Sequence, residues 1–134
     1  MPRSTRELAK AIGRALAAGD LEQLGAELAE DVVMYGTVGG IDEHRVMHGR
    51  DDVVAYFGEV VAAWEQIEAA IEAIHVEGDA AVLLHHETAH TVHTDVPVES
   101  DTATFLRVRD GKVVEIRGYM DQAAALAALE RFAA

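Results

Sequence analysis

The sequence contains no cysteine, which excludes disulfide bonds, thiol catalysis and zinc sites built on thiolates. Only two of its 134 residues are proline, and no low-complexity tract interrupts the pattern. No apolar run approaches the roughly 18 residues that a membrane-spanning helix needs. We therefore expect one folded domain over residues 1–134.

Basic residues are also scarce, because 11 Lys and Arg stand against 24 Asp and Glu, for a formal charge of −13. Such a field repels a phosphate backbone and an anionic membrane, so neither nucleic acid nor a membrane is expected as a partner. Residues 1–7 lead directly into an amphipathic pattern and lack the apolar core of a signal peptide. A cytoplasmic location is the expectation.

The first half of the chain reads as mostly helical. Apolar spacing predicts helices over residues 5–18, 21–28 and 51–64. Between the second and third helices, residues 31–35 are β-prone. A loop rich in glycine then runs over residues 36–47.

The second half reads as strands. Residues 67–77 fit either a helix or a long strand, and strands are predicted over 80–93, 98–109 and 113–120. Tight-turn signals, Gly78-Asp79 and Asp110-Gly111, join consecutive strands. A final short helix is predicted over residues 122–132.

This order predicts an α+β fold. Sequential hairpins indicate an antiparallel, strongly curved sheet, and the N-terminal helices must cover one of its faces. A curved sheet closed by helices on one side encloses a cone-shaped apolar pocket, which is a natural ligand site.

Several local motifs resemble the nuclear transport factor 2-like superfamily, and within it the SnoaL-like, polyketide cyclase-like branch near limonene-epoxide hydrolases and ketosteroid isomerases. The motifs span nearly the whole chain: Ala17-Ala18-Gly19-Asp20, His48-Gly49-Arg50-Asp51, Gly78-Asp79 and the segment from Asp110 to Asp121. The resemblance implies a homodimer formed through the outer sheet face, where Val82, Leu84 and Val92 are apolar. It also implies a small, often cyclic, hydrophobic substrate and acid–base catalysis without a metal or an organic cofactor.

The resemblance does not supply a complete set of catalytic residues. The Tyr and Asn of the epoxide hydrolases fall on Met34 and Gly36, and their Arg-x-Asp falls on His85 and Glu87. Their last-strand Asp falls on Gly118, and the isomerase base falls on Gly36. Epoxide hydrolysis is therefore the least favoured of the family's reactions.

The segment 83–93 is the densest polar stretch and carries four histidines. Because alternate residues of a strand share a face, His85 and Glu87 lie on one face and His86 and His90 on the other. We prefer the first pair as the catalytic one, because the resemblance places the Arg-x-Asp positions of the epoxide hydrolases on it. A carboxylate beside an imidazole orients the ring and favours its protonated form. His86 and His90 are the alternative if the other face is internal.

Other candidates complete the predicted site. Tyr35 is expected to steady a substrate oxygen, and Asp121 is an alternative catalytic residue that also fits an N-cap. No metal is expected, because histidines two apart on a strand face are about 7 Å apart and do not chelate one ion without help from other strands. Substrate-binding residues are predicted to be Met34, Phe57, Trp64, Thr102, Thr104, Leu106, Ile116, Gly118 and Met120.

Two functions from different classes follow. The first is a cofactor-independent isomerase, cyclase or dehydratase that acts on a small hydrophobic metabolite. The second is a non-catalytic protein of the same fold that binds a small ligand or serves dimerisation. The missing first-strand and last-strand catalytic groups favour the second, whereas the His85-x-Glu87 pair favours the first.

Overall fold

The computed structural model describes residues 3–63, 67–89 and 97–133. Within them, four helices and six strands follow one another in an α+β order. The helices are α1 Thr5–Ala18, α2 Leu21–Glu27, α3 Arg50–Ala63 and α4 Gln122–Ala133. The strands are β1 Leu28–Val38, β2 Val46–His48, β3 Ile67–Glu77, β4 Ala80–Ala89, β5 Val98–Arg109 and β6 Lys112–Tyr119. No helix among the described residues is long and apolar enough to cross a membrane.

The predicted start and stop signals of α1 are realised as hydrogen bonds. The Glu7 amide donates to Ser4 Oγ at 3.1 Å, and the Ser4 amide donates to the Glu7 carboxylate at 3.3 Å, which forms a capping box. Gly19 ends the helix with φ of 65°, and Asp20 caps α2 by accepting from the Gln23 amide. These caps fix where the two helices turn against the sheet.

The strands form one six-stranded sheet in the order β2-β1-β6-β5-β4-β3. Asp110 and Gly111, with φ of 52° and 75°, make the predicted tight turn between β5 and β6. The ambiguous residues 67–77 are a strand, which pairs antiparallel with β4. A register shift between Ile71 and Ala73 interrupts that pairing, and irregularities of this kind bend a strand.

Three predictions about the sheet are corrected. The sheet is mixed rather than antiparallel, because β1 runs parallel to β6. The predicted loop over residues 36–47 contains the end of β1 and most of the short strand β2, which pairs antiparallel with β1. Leu28 begins β1 instead of ending the second helix.

The main hydrophobic core lies between the inner face of the sheet and the helices α1 and α3. Leu8 and Ile12 of α1 and Val53 of α3 are buried against Leu83 of β4 and Leu106 of β5. Burying a leucine side chain of this kind stabilises the fold by about 2 kcal/mol. The core holds β4, β5 and β6 in place and thereby positions the side chains on their inner face.

The outer face of the sheet is partly covered by α4. Val82 and Phe105 are buried there in a second cluster with Tyr119 and with Leu129 of α4, and Leu84 packs against the same cluster. The apolar character of Val82 and Leu84 is thus explained within one chain. It no longer argues for a homodimer, and Val92 lies outside the described residues.

Candidate active site

A cavity of about 570 Å³ opens between the inner face of the sheet and the helices α1 and α3. Apolar side chains form most of its wall: Leu16, Met34, Phe57, Val60, Ile71 and Ile116. The polar groups on the wall are few and converge from separate elements, as in typical small-molecule sites. The cavity is therefore the candidate active site.

Four of these polar residues form a connected hydrogen-bond network on β4 and β5. Thr102 Oγ1 lies 2.7 Å from His85 Nδ1 and donates to Glu87 Oε1 at 3.2 Å. On the other side of the ring, Thr104 Oγ1 lies 3.0 Å from His85 Nε2. The antiparallel pairing of His85 with Thr102 produces this arrangement, because opposite residues on one face are direct neighbours.

The network assigns the protons of the neutral His85 ring. A threonine hydroxyl has one proton, and Thr102 donates it to Glu87. With this donation, Thr102 Oγ1 is placed to accept from Nδ1–H of the His85 tautomer that leaves Nε2 as an acceptor for the Thr104 hydroxyl. The basic nitrogen of His85 is therefore the one beside Thr104.

Two further contacts hold this network in place. The Glu87 carboxylate lies 3.5 Å from His85 Nδ1, and both side chains are largely buried. From the opposite face, Gln122 of α4 donates to the backbone carbonyls of Thr102 and His85, at 3.1 and 3.4 Å. The start of α4 thereby ties β4 to β5 at the level of the site.

The network also changes the acidity of Glu87. The His85 ring, whose Nδ1 lies 3.5 Å from the carboxylate, holds the pKa of the Glu87 carboxyl below its ordinary value of 4.5, with help from the Thr102 hydroxyl and against the effect of burial. Glu87 is therefore ionised at neutral pH. It is suited to orient the His85 ring.

This shift gives a testable dependence of stability on pH. A carboxyl whose pKa is lower in the folded than in the unfolded state stabilises the fold above its unfolded value, here 4.5, and loses this effect as pH falls through the folded value. The free energy of unfolding of the wild type should exceed that of Glu87→Gln at pH 6, and the difference should shrink below pH 4.5. Urea denaturation from pH 3 to 7 measures it.

The His85→Gln variant supplies the control for that experiment, because it removes the residue that contributes most to the lowered pKa of Glu87. In the His85→Gln background, the change in the free energy of unfolding caused by Glu87→Gln should depend less on pH than it does in the wild type. A difference between wild type and Glu87→Gln that does not vary with pH would show that the carboxylate is not stabilised by this network.

His86 occupies the opposite face of β4. Its Nδ1 lies 2.6 Å from Asp101 Oδ1 and its Nε2 lies 3.3 Å from Glu99 Oε1, in an exposed position. The hydrogen bond with Asp101, followed by the one with Glu99, raises the pKa of His86 above its ordinary value of 6.5. His86 is thus a surface imidazole paired with carboxylates, and the alternative in which it enters the pocket is wrong.

The same surface contains a group of potential metal ligands among the described residues. Glu72, His86 and Asp101 each place one ligand atom within 4.8 Å of the others, on three adjacent strands. Both ring nitrogens of His86 already face carboxylates, so the group is explained as a protonated imidazole among acidic partners.

The remaining predicted binding residues and His90 have three outcomes. Seven line the cavity: Met34, Phe57, Thr102, Thr104, Ile116, Gly118 and Met120. Leu106 does not, because it is fully buried in the core beneath the cavity wall. Trp64 and His90 lie outside the described residues.

Two predicted catalytic residues lie away from the cavity. Tyr35 is on the outer face of β1, where the guanidinium of Arg117 lies 4.1 Å from the centre of its ring. It therefore does not reach a substrate oxygen, and the parallel pairing of Tyr35 with Arg117 is the reason. Asp121 is exposed at the start of α4 and accepts from the Ala123 amide, so it acts as a cap.

The cavity wall has a second polar part, formed by Thr37, Asp42 and Tyr56, which was not predicted from the sequence. Asp42 lies in the segment between β1 and β2, and Tyr56 lies on α3. The Tyr56 hydroxyl donates to Asp42 Oδ2 at 2.6 Å. Thr37 fills the space in front of Gly118, where a Cβ atom would lie 2.7 Å from Thr37 Oγ1. In the sequence, only the glycines near Asp42 indicated an unusual backbone conformation in the segment between β1 and β2.

Comparisons with known proteins agree with this architecture. The model of the SnoaL-like domain family matches residues 9–116. The chain belongs to the SnoaL-like family. This places it in the nuclear transport factor 2-like superfamily, as its motifs predicted. No curated protein sequence matches the chain.

Solved structures share the fold of this SnoaL-like protein at low identity. A Xanthomonas campestris protein of unknown function with a cystatin-like fold gives a TM-score of 0.74 at 22% identity, covering 90% of this chain and 94% of that one. A hypothetical Catenulispora acidiphila protein with a ketosteroid isomerase-like fold, in complex with trimethylamine, gives 0.70 at 21%, covering 92% of both chains. An LEH-like epoxide hydrolase of M. tuberculosis gives 0.66 at 20%, covering 95% and 90%.

Proposed function

We propose that this SnoaL-like protein is a cofactor-independent acid–base enzyme of the isomerase, cyclase or dehydratase type. Its substrate is a small, hydrophobic, cyclic metabolite held in the cavity. The observation that carries the proposal is the hydrogen-bonded network of Glu87, Thr102, His85 and Thr104 on the wall of a mostly apolar cavity.

The network supports a specific proton transfer. His85 Nε2 takes a proton from a carbon next to a carbonyl group, and the electron pair of the C–H bond moves to the carbonyl oxygen as an enolate. Once Nε2 is protonated, it no longer accepts from Thr104. The Thr104 hydroxyl is then free to donate to the enolate oxygen, while the ionised Glu87 offsets the charge on the ring. Return of the proton to another carbon completes an isomerisation.

A second candidate function is ligand binding without chemistry. One observation favours it: both ring nitrogens of His85 already have partners within the protein. Among the described residues, no buried polar side-chain atom lacks a partner. A carrier would use the same cavity and leave its ligand unchanged. A homodimer through the outer sheet face and a cytoplasmic location remain predictions under either function.

Exchange of hydrogen for deuterium separates the two functions. 2-Tetralone, a bicyclic ketone, is incubated with the protein in D₂O near neutral pD, and its α-proton signals are followed by ¹H NMR. An enzyme of the proposed type should accelerate the loss of these signals over the buffer rate in proportion to protein concentration. Saturable binding of 2-tetralone with exchange at the buffer rate would favour the carrier.

A further inference from the structure

The second polar part of the cavity wall has a donor and acceptor pattern of its own. Asp42 accepts from the Tyr56 hydroxyl through Oδ2, and from the Thr37 amide through Oδ1 at 3.3 Å. Burial, followed by the hydrogen bond to Asp42, raises the pKa of Tyr56 to about 12. The phenol therefore keeps its proton and donates it to the carboxylate. The remaining lone pairs on Asp42 and Tyr56 make this part of the wall an acceptor.

This acceptor lies at the other end of the cavity from His85. The carbonyl oxygen of Asp42 packs directly against Gly36 of β1, whereas His85 lies on β4. Two strands, β6 and β5, separate β1 from β4, which places their backbones about 14 Å apart in the sheet. His85 Nε2 reaches Thr104 Oγ1 on β5, however, and β5 is two strands from β1, so the two polar groups face the cavity from backbones about 10 Å apart.

The wall between the two ends is apolar. Met34 and Ile116, on β1 and β6, line it from the sheet side, and Phe57 of α3 lines it from the helix side. Beside Asp42, Ile41 is fully exposed and Met120 is 47% exposed, so the Asp42 end lies at the cavity mouth. A cyclic ligand with one polar group on each side of its ring system suits this distance.

We propose that Asp42, supported by Tyr56, is a specificity-determining residue that binds a hydroxyl group of the ligand. The ligand class is a cyclic hydroxy-ketone, with the hydroxyl at the cavity mouth and the carbonyl at His85 and Thr104. The orientation of the carbonyl rests on the proposed function; the preference for a hydroxyl at the other end does not.

Three related ketones test this preference. 6-Hydroxy-2-tetralone carries a hydroxyl opposite its carbonyl, 6-methoxy-2-tetralone carries only an acceptor there, and 2-tetralone carries neither. A hydroxyl that donates to a carboxylate in a largely apolar cavity should bind the wild type about tenfold more tightly than the methoxy compound. Isothermal titration calorimetry gives the three dissociation constants. Equal affinities, or no binding by any of the three, would overturn the proposal.

Matched variants assign the preference to Asp42. Asp42→Asn keeps the shape but presents an amide, so the preference for hydroxyl over methoxy should disappear. Asp52→Asn, which removes the same charge from an exposed position on α3, should keep it. Tyr56→Phe leaves the carboxylate in place with a free lone pair, and it should keep the preference as well. A preference that survives in Asp42→Asn would contradict the assignment.

Failure of this proposal is distinguishable from failure of the proposed function. A hydroxyl preference that depends on Asp42, without accelerated α-proton exchange, would support the binding site and refute the chemistry. Accelerated exchange, with equal binding of the hydroxy and methoxy ketones, would support the chemistry and refute the binding site.

Discussion

Replacement of His85 by glutamine is expected to slow the protein-catalysed α-proton exchange of 2-tetralone by a factor of about 10² to 10⁴, the usual contribution of a positioned general base. Glutamine fills a similar volume and can still hydrogen-bond with Thr102. It has no nitrogen that takes up a proton near neutral pH. Circular dichroism and the midpoint of thermal unfolding should show that the variant is folded.

The neighbouring histidine provides a matched control. His86→Gln makes the same chemical change one residue away, on the outer face of β4, and should leave the exchange rate unchanged. Glu87→Gln should reduce the rate less than His85→Gln does, because Glu87 orients the ring and does not itself take the proton. Exchange that proceeds at the wild-type rate in His85→Gln would remove His85 from the mechanism and leave ligand binding as the leading function.

The inward face of β4 is an example of what the sequence alone can predict. The two-residue period of a strand separated His85 and Glu87 from His86, and the resemblance to the epoxide hydrolases, counted from the Gly78-Asp79 turn, indicated which of the two faces is internal. In the structure, the tight turns between β3 and β4 and between β5 and β6 leave little freedom in that register. The tight turns therefore made it possible to carry the family's positions over to β4 and β6 by counting residues.

Long-range pairing was not predictable in the same way. The parallel contact of β1 with β6 joins residues about 80 positions apart, and no turn signal encodes it. That contact also decides which side chains of β1 point outward, which is why Tyr35 was misplaced. Similarly, α4 was predicted as a helix, but its position over Val82 and Phe105 follows from packing on the outer sheet face.

Asp42 illustrates a third kind of limit. Its side chain reaches the cavity because its own backbone is held against Gly36, and the Gly36 amide donates to the Arg45 carbonyl at 2.7 Å. A sequence pattern shows a glycine and an aspartate six residues apart, yet it does not show that the two backbones touch. A single sequence gives no periodicity in such a segment from which the contact can be derived.

This contact leads to the prediction with the largest expected effect on stability. In Gly36→Ala, the new methyl group would overlap the carbonyl oxygen of Asp42. Neither group can rotate away, because the oxygen belongs to the backbone and the methyl carbon is bonded directly to it. The segment between β1 and β2 must move, and we expect a loss of about 3 kcal/mol in the free energy of unfolding. Because the movement shifts the Asp42 carboxylate out of its place in the cavity wall, the preference for 6-hydroxy-2-tetralone should fall as well. Urea denaturation and calorimetric titration measure the two effects.

Gly58→Ala is the matched control for this substitution. Gly58 lies within α3, and a methyl group there would meet only Leu21 Cδ1, at an ordinary contact distance of 3.6 Å. Since glycine weakens a helix interior by about 0.5–1 kcal/mol relative to alanine, this variant should be as stable as the wild type or more so. If Gly36→Ala were equally stable and kept the hydroxyl preference, the contact with Gly36 would not be what holds Asp42 in the cavity wall. The position of the acceptor would then have to come from its hydrogen bonds with Tyr56 and the Thr37 amide.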